Sequence, residues 1–296
     1  MAVRPFSLWW PTRAALVARY ARPTSRFLDV RGTPIHVLDE GPPDGPPVVL
    51  LPGQWISARQ WLGWLPALAN RYRMICVDLP GHGLAEPFTD GDYSFENYIR
   101  LVSDLVDDLG LRRFALVGTS FSGTVAFRYA ADNAHRVVAL ILANASGLPR
   151  QGPGRPNAPP DNLLHRLVLP WVRPRGFIAG KLASLVHDKQ RLTPDLVDEV
   201  TAFNNLPGRF QEAAKRAASY RVGDPQSVLA RITAPTLVQW ATGSTYLSTR
   251  EADLFIDWLG AAVKEKIIYP GTGHLIAVDA PEATGRDAGA FLDRNT

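Results

Sequence analysis

Only one cysteine, Cys76, occurs in the 296-residue chain, so no disulfide can form within it. Cys76 lies in the apolar run 74–77, which predicts a buried and unreactive thiol. The single cysteine and the histidines do not show the spacing of zinc ligands. We therefore expect neither a metal nor a cofactor. No apolar run reaches the roughly 18 residues that a membrane-spanning helix needs, so the sequence predicts no transmembrane segment.

Positive and negative charges nearly balance in this chain. The net charge is +4 at pH 7, and no basic stripe with interleaved aromatic residues indicates a nucleic-acid partner. The excess is uneven, because residues 150–223 hold twelve Lys and Arg against six Asp and Glu. This local excess either steers anionic substrates or forms a solvated face.

The first residues carry two tryptophans, Trp9 and Trp10, but resemble neither a signal peptide nor an anchor. Their apolar stretch is short, and the next residues are interrupted by Arg13 and Arg19. We expect this segment to pack on the body of the protein, with a membrane-surface helix as the alternative. A cytoplasmic location is the corresponding expectation.

Short apolar strands alternate with amphipathic helices along most of the chain. A hairpin is predicted at 27–38, followed by strands at 48–51, 74–79, 114–117, 137–142, 235–241 and 266–269, with helices at 61–70, 95–109, 121–131, 250–259 and 281–292. This alternation predicts an α/β fold in which a mostly parallel central sheet is flanked by helices.

The alternation breaks after Gly147, where a segment rich in Gly and Pro is followed by helical pieces up to Gly223. We predict that residues 1–147 and 224–296 form the core and that residues 148–223 form an inserted helical cap. Five aromatic residues of this cap either line an apolar cavity for a small-molecule substrate or bind the cap to the core: Trp171, Phe177, Phe203, Phe210 and Tyr220.

Ser120 stands between a buried strand and an alanine-rich helix. That setting is typical of a nucleophile elbow, a tight turn that exposes a serine hydroxyl above the sheet. Small neighbours are required there, and Gly118 fits, whereas Ser122 stands where a glycine is usual. The alternative is an ordinary turn whose serine caps the helix.

His274 follows the last predicted strand in the glycine-rich sequence 271–274. A histidine on such a loop can reach a serine at the same edge of the sheet and accept its proton. The chain order, serine first and histidine late, favours this pairing over a surface histidine.

Five segments, in this order, resemble the α/β-hydrolase fold, and within it the capped branch of esterases and C–C bond hydrolases: residues 50–53, 78–83, 116–123, 235–240 and 273–282. The resemblance implies that His274 is the general base and that the backbone N–H groups of Gln54 and Phe121 form the oxyanion hole. It implies a structural role for His82. Haloalkane dehalogenases and epoxide hydrolases carry an aspartate where Ser120 stands, so the serine argues against both chemistries.

The catalytic acid is the main departure from the family pattern. The family places it about four residues after the position of Trp240, and Ser244 occupies that place. Some relatives carry the acid at the end of the preceding core strand, which here is Asn144. Other carboxylates near in sequence are expected to face solvent or to belong to the closing helix region: Asp253, Asp257 and Asp279. The acid therefore stays unassigned.

Three functions remain open from the sequence. The first is a serine hydrolase that acts on an ester, or on a related acyl or C–C bond, with an atypical or missing acid. The second is a lyase, cyclase or transferase on the same fold, and the third is an inactive homologue that binds small molecules. The oligomeric state is not indicated.

Overall fold

The computed structural model describes residues 11–149 and 172–296. Within them, eight strands form one sheet in the order β1-β2-β4-β3-β5-β6-β7-β8. The strands are β1 (Ser25–Val30), β2 (Thr33–Glu40), β3 (Pro47–Leu51), β4 (Arg73–Asp78), β5 (Phe114–Thr119), β6 (Val137–Ala143), β7 (Thr236–Ala241) and β8 (Lys264–Tyr269). The β1–β2 hairpin joins the sheet antiparallel to β4, and all later pairings are parallel.

Helices cover both faces of the sheet. They are α1 (Arg13–Tyr20), α2 (Leu65–Leu68), α3 (Phe95–Asp108), α4 (Phe121–Asp132), α5 (Arg175–Ala183), α6 (Pro194–Asn204), α7 (Arg209–Ser219), α8 (Pro225–Ala230), α9 (Thr249–Trp258), α10 (Ile276–Asp279) and α11 (Pro281–Asn295), with short 3-10 helices at Ala58–Trp64 and Lys189–Arg191. The predicted α/β architecture, with a mostly parallel sheet between helices, is confirmed.

The apolar runs of the sequence form the buried central strands. Every residue of β5 and β7 is buried, as expected for strands that are covered on both faces. The thiol of Cys76, in β4, is fully buried, and burial raises its pKa, which confirms the prediction of an unreactive cysteine. The candidate site lies at the carboxyl ends of these central strands.

Helices α5, α6 and α7 lie between β6 and β7, inside the segment predicted to form the cap. Three described aromatic side chains of this segment contact the remainder of the protein: the ring of Phe203 packs on Tyr20 at 5.1 Å, that of Tyr220 on Phe95 at 5.1 Å and that of Phe177 on Trp55 at 6.5 Å. Phe210 is exposed and lies under Arg173 of the same segment. Trp171 and the Gly/Pro-rich stretch 150–160 lie outside the described residues. The domain boundaries themselves stay a prediction.

Helix α1 packs on α6 through Leu16 and Tyr20, which cluster with Phe203 and Leu206. The tryptophans at positions 9 and 10 lie outside the described residues, so their predicted packing is not tested. Across the described ranges, no helix is both long enough and apolar enough to span a membrane.

Candidate active site

Ser120 lies at the turn between β5 and α4, with φ of 51° and ψ of −121°. A positive φ is uncommon for a residue with a side chain and is strained by about 1–3 kcal/mol. The turn is held by its neighbours: the Ser120 N–H donates to the carbonyl of Asn144 at 3.1 Å, and the Ser120 carbonyl accepts from the N–H of Ser146 at 2.9 Å. The hydroxyl is therefore held in a fixed position at the carboxyl end of the central strand β5.

Small residues make the turn possible. A Cβ at Gly118 would lie 2.6 Å from the Cβ of Ala126, and one at Gly123 would lie 2.4 Å from the Cβ of Ala145. Ser122, at the position where a glycine is usual, is fully buried. Its hydroxyl accepts from the N–H of Thr119 at 3.1 Å and lies 3.0 Å from the carbonyl of Leu51. Ser122 thus fits the elbow and joins it to β3.

The structure brings His274 to Ser120. The Nε2 atom of His274 lies 2.9 Å from the Oγ atom of Ser120, although the residues are 154 positions apart in the chain. His274 is buried, whereas Ser120 is partly exposed. This is the geometry that proton transfer from a serine nucleophile to an imidazole base requires.

Ser244 occupies the far side of the imidazole. Its Oγ atom lies 3.0 Å from Nδ1 of His274 and accepts from the N–H groups of Tyr246 at 3.3 Å and Leu247 at 3.2 Å. Over the described ranges, no carboxylate forms a hydrogen bond or ion pair with His274. A neutral hydroxyl stands where an acid would orient the ring.

Burial lowers the pKa of His274 to about 4, and the positive charge of Lys181 adds to this effect. The Lys181 ammonium lies 4.6 Å from the ring centre of Tyr246, whose ring in turn lies 5.4 Å from that of His274. The imidazole is therefore neutral at pH 7, and among the described residues no negative charge offsets the cost of protonating it.

Asn144 and Asp279 have structural roles that the sequence did not reveal. The Asn144 amide is fully buried and donates to the backbone carbonyl of His274 at 2.7 Å, while its oxygen accepts from the N–H of Ala241 at 2.9 Å. It positions the loop that carries the base. Asp253 and Asp257 are exposed, as expected.

The Asp279 carboxylate accepts backbone N–H groups from two separate segments. His187 and Asp188 donate to it at 2.8 and 2.9 Å, and Gly273 donates from the histidine loop. The carbonyl of Leu185 also accepts from the N–H of Leu275 at 3.0 Å. Asp279 thus joins the segment before α6 to the loop of His274 and does not contact the imidazole.

The predicted oxyanion donors belong to two separate segments of the chain. Phe121 is the first residue of α4, so its N–H has no partner within the helix and lies at the positive end of the helix dipole. Gln54 is in the loop after β3 and lines a cleft that reaches helices α6 and α7. The roles of both N–H groups remain predictions.

A serine–histidine–aspartate row that was not predicted from the sequence joins β1, β2 and β4. His36 Nε2 lies 2.8 Å from the Oγ of Ser25, and its Nδ1 lies 2.7 Å from the buried carboxylate of Asp78. Ser25 begins the edge strand β1, where no helix starts. This row has the acid but no helix N-terminus beside the serine to stabilise an oxyanion.

We expect the protein to lose stability in mild acid. The unfolded chain binds a proton at His274 near pH 6.5, whereas the folded protein does so only near pH 4. The contribution of His274 to the free energy of unfolding is therefore fully present above pH 6.5, and about 3 kcal/mol of it is lost as the pH falls to 4. Burial lowers the pKa of His82 as well, which adds to the effect. Thermal unfolding from pH 7.5 to pH 4.5 measures it.

A His274→Gln variant is expected to show a shallower dependence on pH. Replacing His135, which is exposed, by glutamine is the matched control and should leave the profile unchanged. A melting temperature that stays constant between pH 7 and pH 4.5 would contradict the assignment of a buried neutral imidazole.

No group of three or more His, Cys, Asp or Glu side chains that could hold a metal is found in the part of the chain that the structure describes. The reactive groups at the carboxyl ends of the central strands are a serine hydroxyl, a neutral imidazole and backbone N–H donors.

Comparison with known proteins identifies relatives over most of the chain. The model of the alpha/beta hydrolase family matches residues 48–286. A putative carbamate hydrolase RutD from Variovorax paradoxus is 30% identical over 277 residues, which cover 88% of this chain and 97% of the relative. The dihydrolipoyllysine-residue acetyltransferase component of an acetoin cleaving system from Pseudomonas putida is 26% identical over 279 residues, covering 92% of this chain and 70% of the relative.

Among solved structures, the crystal structure of a membrane phospholipase A, described as a bacterial virulence factor, shares the fold. The TM-score is 0.80 at 24% sequence identity, and the match covers 96% of this chain and 93% of the other. Together with the family model, it confirms the predicted α/β-hydrolase fold.

Proposed function

Because the chain belongs to the alpha/beta hydrolase family, we propose that it is a serine hydrolase that cleaves an ester or a related acyl or C–C bond. Ser120 is the nucleophile and His274 the general base. One observation carries the proposal: the serine hydroxyl stands on a strained turn at the start of α4, 2.9 Å from the imidazole Nε2. The putative carbamate hydrolase among the relatives supports hydrolysis on this fold.

The reaction follows from these contacts. The Oγ atom of Ser120 forms a bond to the substrate carbonyl carbon while its proton moves to Nε2 of His274. The imidazolium then gives that proton to the leaving group as the bond to it breaks, which leaves an acyl group on Ser120. Water, deprotonated by His274, attacks this acyl group, and the proton returns to Oγ as the acid product departs.

The negative charge on the carbonyl oxygen needs donors that are already in place. The N–H of Phe121 begins a helix, which suits this role, and the N–H of Gln54 in the loop after β3 is the second proposed donor. Losing one such donor typically costs about 10² to 10³ in turnover.

The weak base sets the range of substrates. A pKa of about 4 leaves the His274 imidazole fully available as an acceptor at pH 7 but gives it little driving force to remove a proton. Substrates with a strongly electrophilic carbonyl carbon, which need little activation of the nucleophile, are therefore favoured. We expect activated esters to be cleaved and peptide-like amides to be left intact.

Acyl transfer is the second candidate. A weak base activates water poorly in the second half of the reaction, which favours acceptors that are better nucleophiles than water. The relative from Pseudomonas putida is named as an acetyltransferase component, which agrees with this option. Partition of the acyl group between water and an added alcohol or thiol separates the two activities.

Covalent labelling tests the proposal directly. A fluorophosphonate probe is expected to label the wild-type protein on Ser120, and p-nitrophenyl valerate is expected to be turned over. In Ser120→Ala both signals should disappear, because the nucleophile is gone. Ser25→Ala is the matched control, since Ser25 also bonds to a buried histidine, and it should keep both signals. An unlabelled wild-type protein that leaves the ester intact would identify a binding protein instead.

A further inference from the structure

A cleft beside the oxyanion residue Gln54 is lined by three arginines. Its walls come from the loop after β3, the loop after β4 and helices α6 and α7. Arg173, Arg209 and Arg216 are all buried, with exposed fractions of 6%, 3% and 6%. None of the described residues that line the cleft is an aspartate or a glutamate. Buried guanidinium groups are costly unless an anion or hydrogen-bond acceptors compensate them.

The protein itself compensates Arg209. Its Nη1 donates to the buried carboxylate of Glu212 at 2.7 Å, and its Nη2 donates to the carbonyls of Gly83 at 2.7 Å and Ala85 at 3.0 Å. Glu212 forms its ion pair with this arginine. Arg209 therefore ties α7 to the loop after β4, and among residues 11–149 and 172–296 the other two arginines have no ion pair with a carboxylate.

Arg216 has the most unsatisfied donors of the three arginines, although the buried Nε atom of Arg209 also lacks a partner among the described residues. The Nε and Nη1 atoms of Arg216 are buried and have no hydrogen-bond partner among the described residues, although the Tyr98 hydroxyl lies beside its guanidinium. Both ring nitrogens of the neighbouring His82 are likewise buried and, over residues 11–149 and 172–296, without a well-formed hydrogen bond, although the backbone carbonyl of Pro80 lies near the ring. Donors this deeply buried stay unpaired in few native proteins, which indicates that a bound group supplies the acceptor.

Arg173 adds a second positive charge. Its guanidinium lies 4.9 Å from the ring centre of Trp55, and its Nη1 donates to the carbonyl of Asn204 at 3.0 Å. Burial, with Arg216 and Arg209 nearby, lowers the pKa of Arg173 to about 10, as expected for like charges that share a site.

We propose that this cleft binds a carboxylate of the substrate, held by Arg216 and Arg173 with His82 as a neutral hydrogen-bond donor. The inference rests on the proposed serine hydrolase and names its substrate class: half-esters of short dicarboxylic acids. A guanidinium presents paired N–H donors that match the two oxygens of a carboxylate.

The cleft lies at the right place for such a substrate. The Arg216 guanidinium is 5.6 Å from the ring centre of Phe121, and the His82 ring stacks on the same phenyl ring at 6.2 Å. Phe121 directly follows the nucleophile and offers one oxyanion N–H, while Gln54, which offers the other, lines the cleft itself. A carboxylate bound here sits beside the carbonyl that Ser120 attacks.

Two esters of equal length test this assignment. Mono-p-nitrophenyl glutarate ends in a carboxylate where p-nitrophenyl valerate ends in a methyl group. After subtraction of the uncatalysed rates, wild type should favour the glutarate ester by about tenfold or more in kcat/KM, which is the range of one charge-assisted hydrogen-bond pair. In Arg216→Met this ratio should fall to about two or less. Lys215→Met removes an exposed charge from the same helix and should keep the ratio.

Free glutarate gives a second readout that does not need catalysis. It should raise the melting temperature of wild type and of Ser120→Ala but not that of Arg216→Met. If Arg216→Met does not fold, Arg173→Met takes its place in the comparison. Equal turnover of both esters by wild type, or no thermal shift with glutarate, overturns the carboxylate site. An equal shift with sulfate overturns its selectivity for a carboxylate. Loss of all ester turnover with a retained glutarate shift overturns the hydrolase proposal alone.

Discussion

Replacing Ser244 by aspartate is expected to raise the turnover of p-nitrophenyl valerate by about 10² or more. Disabling the acid of a complete serine triad lowers turnover by about 10⁴, so restoring it should recover a sizeable part of that factor. The gain should appear in kcat, because the carboxylate stabilises an imidazolium that forms only during the reaction.

The surroundings of Ser244 are suited to a carboxylate. The N–H groups of Tyr246 and Leu247 already point at the Oγ atom, and two backbone donors of this kind stabilise an anion. A carboxylate would also accept from Nδ1 of His274 and so hold the proton there, which leaves Nε2 free to act on Ser120. The serine hydroxyl can instead donate to Nδ1, and the ring then carries its proton on the wrong nitrogen.

The pH dependence of turnover separates this effect from a change in binding. In wild type the acid limb should lie near pH 4, because His274 must be neutral to act as a base. In Ser244→Asp the new negative charge raises the pKa of His274, and the limb should move to higher pH. Thr249→Asp adds the same charge at an exposed position of the same segment and should move neither the limb nor kcat. An unchanged kcat in Ser244→Asp would contradict the assignment of His274 as the base.

Asp78→Asn is expected to lower the free energy of unfolding by about 3 kcal/mol or more, because three buried groups, His36 Nδ1 and the N–H groups of Ala58 and Leu84, lose their carboxylate partner. Burial acts to raise the pKa of Asp78, but the hydrogen bond from His36 and the N–H groups of Ala58 and Leu84 outweigh it, and the pKa is lowered. The two backbone donors lie 2.7 and 2.9 Å from the carboxylate oxygens. An asparagine cannot accept all of these bonds.

Chemical denaturation of Asp78→Asn measures the loss, and Ser25→Ala is the control. Ser25 is partly exposed, so its loss should cost less than about 1 kcal/mol. Turnover per folded molecule should be the same in both variants as in wild type. Loss of turnover at retained stability would instead give the Ser25–His36–Asp78 row a part in catalysis.

The sequence predicted the elements that depend on local pattern. The alternation of apolar runs and amphipathic helices is a local signal, and the strand and helix positions matched it. Ser120 and His274 were also selected as candidates in this way, because a tight turn between strand and helix and a glycine-rich loop can each be recognised over a few residues.

Contacts between segments that are distant in the chain could not be predicted from local sequence patterns. His36 meets Asp78 only because β2 and β4 pair in a particular antiparallel register, in which these two residues are opposite each other. The arginines of α7 have the spacing of a solvated helix face, yet Arg209 and Arg216 turn towards the loop after β4 and are buried. Sequence periodicity identifies the faces of a helix but does not reveal what packs against them.

Asp279 couples the helical segment to the histidine loop. Its one carboxylate accepts from the backbone N–H groups of His187 and Asp188 and from that of Gly273, next to His274. The position of the segment before α6 and the position of the loop that carries His274 are therefore mechanically coupled through a single side chain.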